Sequence, residues 1–181
     1  MELISIGWGS QAHTRLGLAL IHEIMCKLRE DFAKDRVFLS YGNTRLVHYN
    51  DHFLNGGILI DLSEIADQAD FVANHIFNYN SVEPDILLFH KNKYIKNETG
   101  AYLAGLPDLV VEIWSQMNQP YERTAKQELY ASSPITEHWY IEEDSDLVER
   151  WLGKKRLPDA TTRKKLTTQN GLELDISDFA V

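Results

Sequence analysis

The sequence of 181 residues contains one cysteine, Cys26, and no long hydrophobic run. A single cysteine cannot form an internal disulfide, and no second thiolate is present to complete a cysteine-based zinc site. No apolar stretch approaches the roughly 18 residues of a membrane span, and residues 1–10 lack the basic and apolar regions of a signal peptide. We therefore expect a cytoplasmic protein that is neither a disulfide scaffold nor a zinc ribbon.

Basic residues are also scarce, with 18 Lys and Arg against 27 Asp and Glu and a net charge of −9. This balance disfavours indiscriminate binding to nucleic acid. The charge is uneven, however, because residues 150–165 contain seven basic residues and one acid, Asp159. Such a segment is either a solvated basic loop or a local grip on phosphates. The predicted nucleic-acid patch consists of Lys154, Lys155, Arg156, Arg163, Lys164 and Lys165.

Hydrophobic residues make up 44% and charged residues 25% of the chain, which is typical of a globular protein, and the length suits a single domain over residues 1–181. Apolar residues at four-residue spacing after Ser10 predict a helix with Ser10 as its N-cap, and a second helix is predicted over Tyr121–Ser132. The predicted strands are Val37–Tyr41, Thr44–Tyr49, Ile58–Leu62, Ile86–Phe89, Leu109–Trp114, His138–Glu142, Leu147–Leu152 and Lys165–Thr168. We expect the first three strands to form a meander and the whole to be an α/β or α+β fold with a mixed sheet.

The clearest anomaly is Glu112, in the middle of the nearly continuous apolar strand LVVEIW. Side chains alternate along a strand, so Glu112 shares a face with Val110 and Trp114. An unpaired charge there would cost about 2–5 kcal/mol or force the carboxyl to protonate. The sequence therefore predicts a cationic partner, which is either a metal ion shared with a second carboxylate or a lysine.

Both kinds of partner are available. Asp85 stands at the head of the strand ILLF and faces Glu112 if the two strands are neighbours. Lys126 lies on the following helix, where a long side chain can reach back to the strand. Two carboxylates and an ammonium suit phosphodiester hydrolysis, because Mg²⁺ prefers oxygen ligands and lysine stabilises developing negative charge.

The ordered segments VEPDILLF, GLPDLVVEIWS, RTAKQELY and ITEHWYIEED resemble the Uma-type restriction-endonuclease family, within the PD-(D/E)xK nuclease superfamily. The resemblance extends to SQAHTRLGLAL near the start and GLELDISDF near the end. It leaves out a predicted insertion at about residues 42–81. It implies a restriction-endonuclease-like mixed central sheet flanked by helices, and a homodimer that cuts both strands.

The resemblance also implies roles for individual residues. Asp85 and Glu112 would bind Mg²⁺ or Mn²⁺, together with the main-chain carbonyl of Ile113. The superfamily lysine normally stands two residues after the second carboxylate, but Trp114 occupies that position here. Lys126 resembles the migrated form of that lysine, on the following helix.

Two further residues are candidates for the rim of the site. The resemblance places a histidine at His13, although a capping or packing role is equally consistent with the sequence. Tyr130 shares a helix face with Lys126, although an aromatic residue there commonly packs on the sheet. We expect Cys26 to be buried in the first helix.

The predicted function is therefore a metal-dependent endonuclease that hydrolyses DNA phosphodiester bonds. The alternative is a catalytically inactive binding or regulatory protein that kept the nuclease fold. Net acidity and Trp114 at the lysine position favour the alternative, whereas the presence of Asp85, Glu112 and Lys126 favours the enzyme.

Overall fold

The computed structural model describes residues 10–42, 45–48, 80–90, 94–96, 102–105, 107–132, 137–162 and 165–177. The helices within these ranges are α1 (Gln11–Lys27), α2 (Arg29–Ala33) and α3 (Pro120–Ser132). The strands there are β1 (Val37–Tyr41), β2 (Arg45–His48), β3 (Asn80–Val82), β4 (Ile86–His90), β5 (Tyr94–Lys96), β6 (Tyr102–Gly105), β7 (Leu109–Trp114), β8 (Glu137–Glu142), β9 (Leu147–Leu152), β10 (Lys155–Arg156), β11 (Ala160–Thr161), β12 (Leu166–Thr167) and β13 (Glu173–Leu174).

The main sheet has the order β1-β4-β7-β8-β9-β10, with β11 also paired to β9. Strands β7 and β8 are parallel and are connected through α3, whereas the other pairs in this sheet are antiparallel. A smaller sheet has the order β3-β2-β6-β5, and β12 pairs with β13. The predicted mixed sheet with helices is therefore confirmed, and β8 and β9 form an antiparallel hairpin.

Strand β7 is buried on both faces because a helix covers each of them. Leu109, Val111 and Ile113 belong to one apolar cluster, shared with the buried face of α1. Val110 and Trp114 belong to a second cluster, which includes Tyr130 of α3. This explains why the strand is continuously apolar rather than alternating. Glu112 alternates with Val110 and Trp114 and so lies on the α3 face.

Helix α1 begins as predicted, since the Ser10 side chain accepts a hydrogen bond from the backbone N–H of His13. Its buried stripe includes Leu16, Leu20 and Ile24, and the helix ends at Lys27, before the shorter α2. The expectation for Cys26 was wrong. Cys26 is exposed because it lies outside that stripe.

The predicted meander was also wrong. Strand β1 pairs with β4, whereas β2 pairs with β3 and β6 in the smaller sheet. The chain changes direction after β1, at Gly42, whose backbone φ of +55° lies in the region that favours glycine. The strand predicted over residues 58–62 lies outside the described residues, as does most of the predicted insertion. None of the described helices is long and apolar enough to cross a membrane.

Candidate active site

Asp85 and Glu112 face each other across two neighbouring strands. Strands β4 and β7 are antiparallel, and Ile86 of β4 pairs with Val111 of β7. Asp85 immediately precedes Ile86, so the register places it opposite Glu112. The Glu112 residue is only 2% exposed, whereas the Asp85 side chain is 21% exposed. One carboxylate is therefore enclosed and the other is accessible to solvent.

Helix α3 supplies hydrogen-bond donors to both oxygens of Glu112. The Lys126 ammonium lies 2.7 Å from Oε2, and the Tyr130 hydroxyl donates to Oε1 at 2.6 Å. The two donors are four residues apart and therefore project from the same side of the helix. Lys126 also donates to the main-chain carbonyl of Glu83 at 3.3 Å. It thus connects Glu112 to the segment that leads into Asp85.

Burial raises the pKa of Glu112 to about 7, against an ordinary value of 4.5. The charge of Lys126 lowers this pKa and that of Asp85 raises it, while the hydrogen bonds from Lys126 and Tyr130 lower it further. Desolvation outweighs the favourable partners because the carboxyl is enclosed by the sheet and α3. Glu112 is consequently divided between its neutral and charged forms near neutral pH.

Asp85 accepts hydrogen bonds from two different elements. His13 Nε2 lies 3.0 Å from Oδ1, and the backbone N–H of Ile113 donates to Oδ2 at 2.7 Å. The hydrogen bond to Asp85 raises the pKa of His13 above its usual range, against the opposing effect of burial. His13 therefore lies beside the Asp85 carboxylate. The contact made by Ile113 is through its N–H, and the role of its carbonyl as a ligand stays a prediction.

The start of α1 is attached to the end of β8 by a contact that sequence reasoning missed. The Ser10 hydroxyl donates to Oε2 of Glu143, while its oxygen also caps the N–H of His13. The N–H of Glu143 donates to the carbonyl of Trp114 at the end of β7. This set of contacts positions His13 relative to the strands. The sequence signal was weak, because Glu143 lies within a run of acidic residues.

Trp114 is the last residue of β7 and occupies the position at which the sequence resemblance would place a lysine. Its ring lies 4.5 Å from that of Tyr140, and the Arg123 guanidinium lies over it at 4.7 Å. Arg123 also donates to Glu142 at 2.7 Å and to the carbonyl of Ser115 at 2.6 Å. Trp114 therefore packs beneath the start of α3 and holds this helix against the sheet.

Tyr41 also lies close to the carboxylates, although sequence reasoning did not select it. It ends β1 opposite Ile86, and the N–H of the next residue, Gly42, donates to the carbonyl of Asp85 at 2.8 Å. Burial, and then the charge of Asp85, raise the pKa of Tyr41. The sequence contained no signal for this proximity, because the partner of β1 was predicted incorrectly.

The basic segment lies at the other end of the main sheet. The turn after β9 approaches the start of β8, where His138 Nε2 lies 3.0 Å from the carbonyl of Gly153. Glu149 pairs with Tyr140, and β9 continues for three residues to Leu152, about 10 Å along the strand direction, before the turn that contains Lys154. Lys154 and Lys155 are exposed.

Two other members of the predicted patch have acidic partners within the chain. Arg156 forms ion pairs with Asp159 at 3.0 Å and Glu149 at 3.3 Å. Lys165 is 4.0 Å from Glu173. Arg163 and Lys164 lie outside the described residues. Among the described basic residues of this patch, Lys154 and Lys155 are therefore the most available to bind an external anion.

The mixed sheet, the helix on each face and the opposed carboxylates define a nuclease-type fold of the restriction-endonuclease class. Residues 58–178 match the model of the Uma2 family, described as "Putative restriction endonuclease", and the chain belongs to this family. A crystal structure from Anabaena variabilis ATCC 29413, described as "a putative nuclease belonging to DUF820", has a similar fold. The TM-score is 0.65 at 12% identity, over 96% of this chain and 84% of the other. No match was found among curated proteins.

Proposed function

We propose that this protein is a metal-dependent endonuclease that hydrolyses DNA phosphodiester bonds at the site containing Asp85, Glu112 and Lys126. The observation that carries the proposal is the pairing of opposed carboxylates with a lysine that contacts one of them at 2.7 Å. Membership of the Uma2 family supports a nuclease-type function. The buried aromatic at Trp114 leaves Lys126 as the lysine of the site.

The donor set is suited to Mg²⁺ or Mn²⁺. Within the described ranges, no group of three or more His, Cys, Asp or Glu side chains is arranged to hold a metal ion. Two carboxylates are nevertheless a usual protein contribution for Mg²⁺, which keeps several waters and takes its remaining ligands from substrate phosphate. Asp85 and Glu112 would hold the ion, with the carbonyl of Ile113 as the proposed third protein ligand.

When bound, the ion supplies Lewis-acid stabilisation of the phosphate and lowers the pKa of water. Lys126 stabilises negative charge that develops on the phosphate, and it favours the charged form of Glu112. Tyr130 holds the Glu112 carboxylate in one orientation. His13 and the Ile113 N–H do the same for Asp85, so both carboxylates are positioned before substrate arrives.

The proposal extends to the basic turn and to the oligomer. Lys154 and Lys155 would neutralise phosphates of a duplex that lies along the sheet, since about 10 Å corresponds to roughly three base pairs. Such contacts add affinity without reading the base sequence. Cleavage of both strands would require two active sites, which a two-fold symmetric homodimer provides.

Nicking of supercoiled plasmid by the purified protein tests the proposal directly. We expect nicking with Mn²⁺ and its loss when the metal is chelated. Glu112→Gln should abolish it, whereas Glu30→Gln, the same change at a side chain that is 85% exposed, should retain it. Equal nicking by the Glu112→Gln variant would attribute the activity to a contaminant.

The alternative is an inactive member of the fold that binds a partner through the same surface. It is favoured by one observation, which is that Lys126 and Tyr130 already satisfy both oxygens of Glu112 within the protein. Absence of nicking, together with unchanged thermal stability in Mn²⁺, would favour this alternative. In that case the protein would bind DNA without cleaving it.

A further inference from the structure

We infer that Tyr41 contacts the substrate through its hydroxyl group, which donates a hydrogen bond to a backbone phosphate next to the cleavage site. This inference rests on the proposed function. It adds a residue that was not among the site residues predicted from the sequence. Three observations support it, namely the position of Tyr41, a hydroxyl that has no hydrogen-bond partner among the described residues, and the packing of the Tyr41 ring on Gly17.

The position of Tyr41 is fixed relative to Asp85 by the backbone. Tyr41 is the last residue of β1 and pairs with Ile86, the residue that follows Asp85. The hydrogen bond from Gly42 N–H to the Asp85 carbonyl continues this pairing by one step. The backbone pairing therefore sets the position of Tyr41 relative to Asp85.

The hydroxyl of Tyr41 has no hydrogen-bond partner in the part of the chain that the structure describes. The other tyrosines whose side chains are described use theirs within the protein: Tyr130 on Glu112, Tyr140 on His138 and Tyr121 on Glu122. Tyr41 is 38% exposed. Tyr41 is thus partly open to solvent, and its hydroxyl has no acceptor among the described residues, beside a carboxylate proposed to bind metal.

The ring of Tyr41 lies directly on the backbone of α1. A Cβ atom added at Gly17 would meet the Tyr41 hydroxyl oxygen at 2.5 Å and the ring carbon Cε2 at 2.6 Å. Glycine is unfavourable inside a helix relative to alanine, so this residue lowers helix stability while it makes room for the ring. Gly17 follows His13 by one turn, about 6 Å along the helix. Tyr41 therefore packs on α1 one turn away from His13, the residue that contacts Asp85.

A phosphate oxygen is the substrate group that best suits a tyrosine hydroxyl beside Asp85. Phosphate oxygens accept hydrogen bonds from tyrosine hydroxyls in many nucleic-acid complexes, and such contacts set the register of the backbone rather than the base sequence. Tyr41 lies on the α1 side of the carboxylates, whereas Lys126 approaches from α3. The two residues would therefore contact the substrate backbone from opposite sides.

The test measures binding of a short fluorescein-labelled duplex by anisotropy, in the Glu112→Gln background that prevents cleavage. Tyr41→Phe removes only the hydroxyl, and we expect it to raise Kd by roughly 3- to 10-fold. The slope of log Kd against log salt concentration should not change, because a neutral donor releases no counterions. In the cleaving protein the same change should raise KM and leave kcat largely intact.

Gly17→Ala displaces Tyr41 without altering it and should weaken binding at least as much as Tyr41→Phe, with no loss of melting temperature. Leu18→Ala, at the neighbouring helix position where the side chain is 54% exposed, is the matched control and should bind as the parent does. Tyr41→Ala should not weaken binding much beyond Tyr41→Phe.

The outcomes separate this inference from the proposed function. Equal affinity of the parent and Tyr41→Phe would overturn the role of the hydroxyl, and a loss confined to Tyr41→Ala would replace it by a contact of the ring. Unchanged binding by Gly17→Ala would also overturn it. A parent that binds no DNA at all would overturn the proposed function, and this inference with it.

Discussion

Lys126 and Glu112 are 14 residues apart in the chain, yet their charged atoms are 2.7 Å apart at the point where α3 crosses the centre of the sheet. The Glu112 side chain is 3% exposed and that of Lys126 is 27% exposed. The carboxylate of the pair is therefore buried, whereas the lysine side chain is partly exposed to solvent. This asymmetry lets Lys126 stabilise the buried charge while part of its side chain stays accessible to solvent.

Lys126→Met should destabilise the protein, because it leaves a buried carboxylate without its cation. Breaking such a pair costs up to about 3–5 kcal/mol, and the partial exposure of Lys126 and the ability of Glu112 to protonate reduce this to about 1–3 kcal/mol. Urea denaturation at pH 7 measures the effect. Lys34→Met, which removes a surface pair with Glu30, should change stability by no more than about 0.5 kcal/mol.

The raised pKa of Glu112 should make the folded state less stable as pH increases. The unfolded chain releases this proton near pH 4.5, whereas the folded protein keeps it until about pH 7. Between these values the folded state binds more protons, so the free energy of unfolding falls with pH, by on the order of 3 kcal/mol for this group. The Glu112→Gln variant has no titrating group at this position. Its free energy of unfolding should therefore increase relative to that of the unsubstituted protein between pH 5 and pH 8. A constant difference across that range would contradict the raised pKa.

Binding of a divalent ion should stabilise the protein and should depend on pH in the opposite sense. A ligand at a hundredfold excess over Kd adds about 2.7 kcal/mol to the free energy of unfolding. Because the ion requires the charged form of Glu112, the increase in melting temperature with Mn²⁺ should be larger at pH 8 than at pH 6. Differential scanning fluorimetry measures both values. Glu112→Gln should show little increase at either pH.

Tyr130→Phe should shift the pH dependence of nuclease activity. The hydrogen bond from Tyr130 lowers the pKa of Glu112, so its loss should move the acidic limb of the rate profile to higher pH. The buried oxygen left without its donor should also cost about 1–3 kcal/mol of stability. Tyr121→Phe, at a residue that is 71% exposed, is the control and should leave the profile unchanged.

The pair of substitutions Lys154→Gln and Lys155→Gln tests the proposed DNA contact of the basic turn. If each lysine meets one phosphate, the slope of log Kd against log salt concentration should fall by about 0.9 per lysine. Affinity should weaken equally for different DNA sequences. Unchanged affinity and slope would remove this turn from the interface and restrict DNA contacts to the carboxylate end of the sheet.

Much of the fold could be predicted because its signals are local. The apolar runs of β4 and β7, the stripe of α1 and the turn between β8 and β9 each appear within a few residues of sequence. The partner of β1 could not be predicted in this way, since strand pairing depends on contacts between distant segments. Cys26 was predicted to be buried because cysteine commonly is, but it lies outside the stripe of α1 that the sheet covers.

The same distinction applies to the candidate site. Glu112 was visible as a charge in an apolar strand, and Lys126 lies on the next element along the chain, within reach of it. His13 was suggested by family resemblance, but its contact with Asp85 spans 72 positions and depends on how α1 lies across the sheet. Tyr41 and Glu143 carried no signal of their own, because an isolated tyrosine or glutamate is common on any protein surface.

The contacts around the carboxylates also have a consequence for folding. They join residues separated by as many as 133 positions, from Ser10 in the cap of α1 to Glu143 after β8. Closing loops of this length is entropically unfavourable, and contacts of high sequence separation generally slow folding. The site can therefore assemble only when both covering helices have docked on the sheet. Recovery of activity during refolding should follow the slowest structural phase, and fragments that end before α3 should retain none of it.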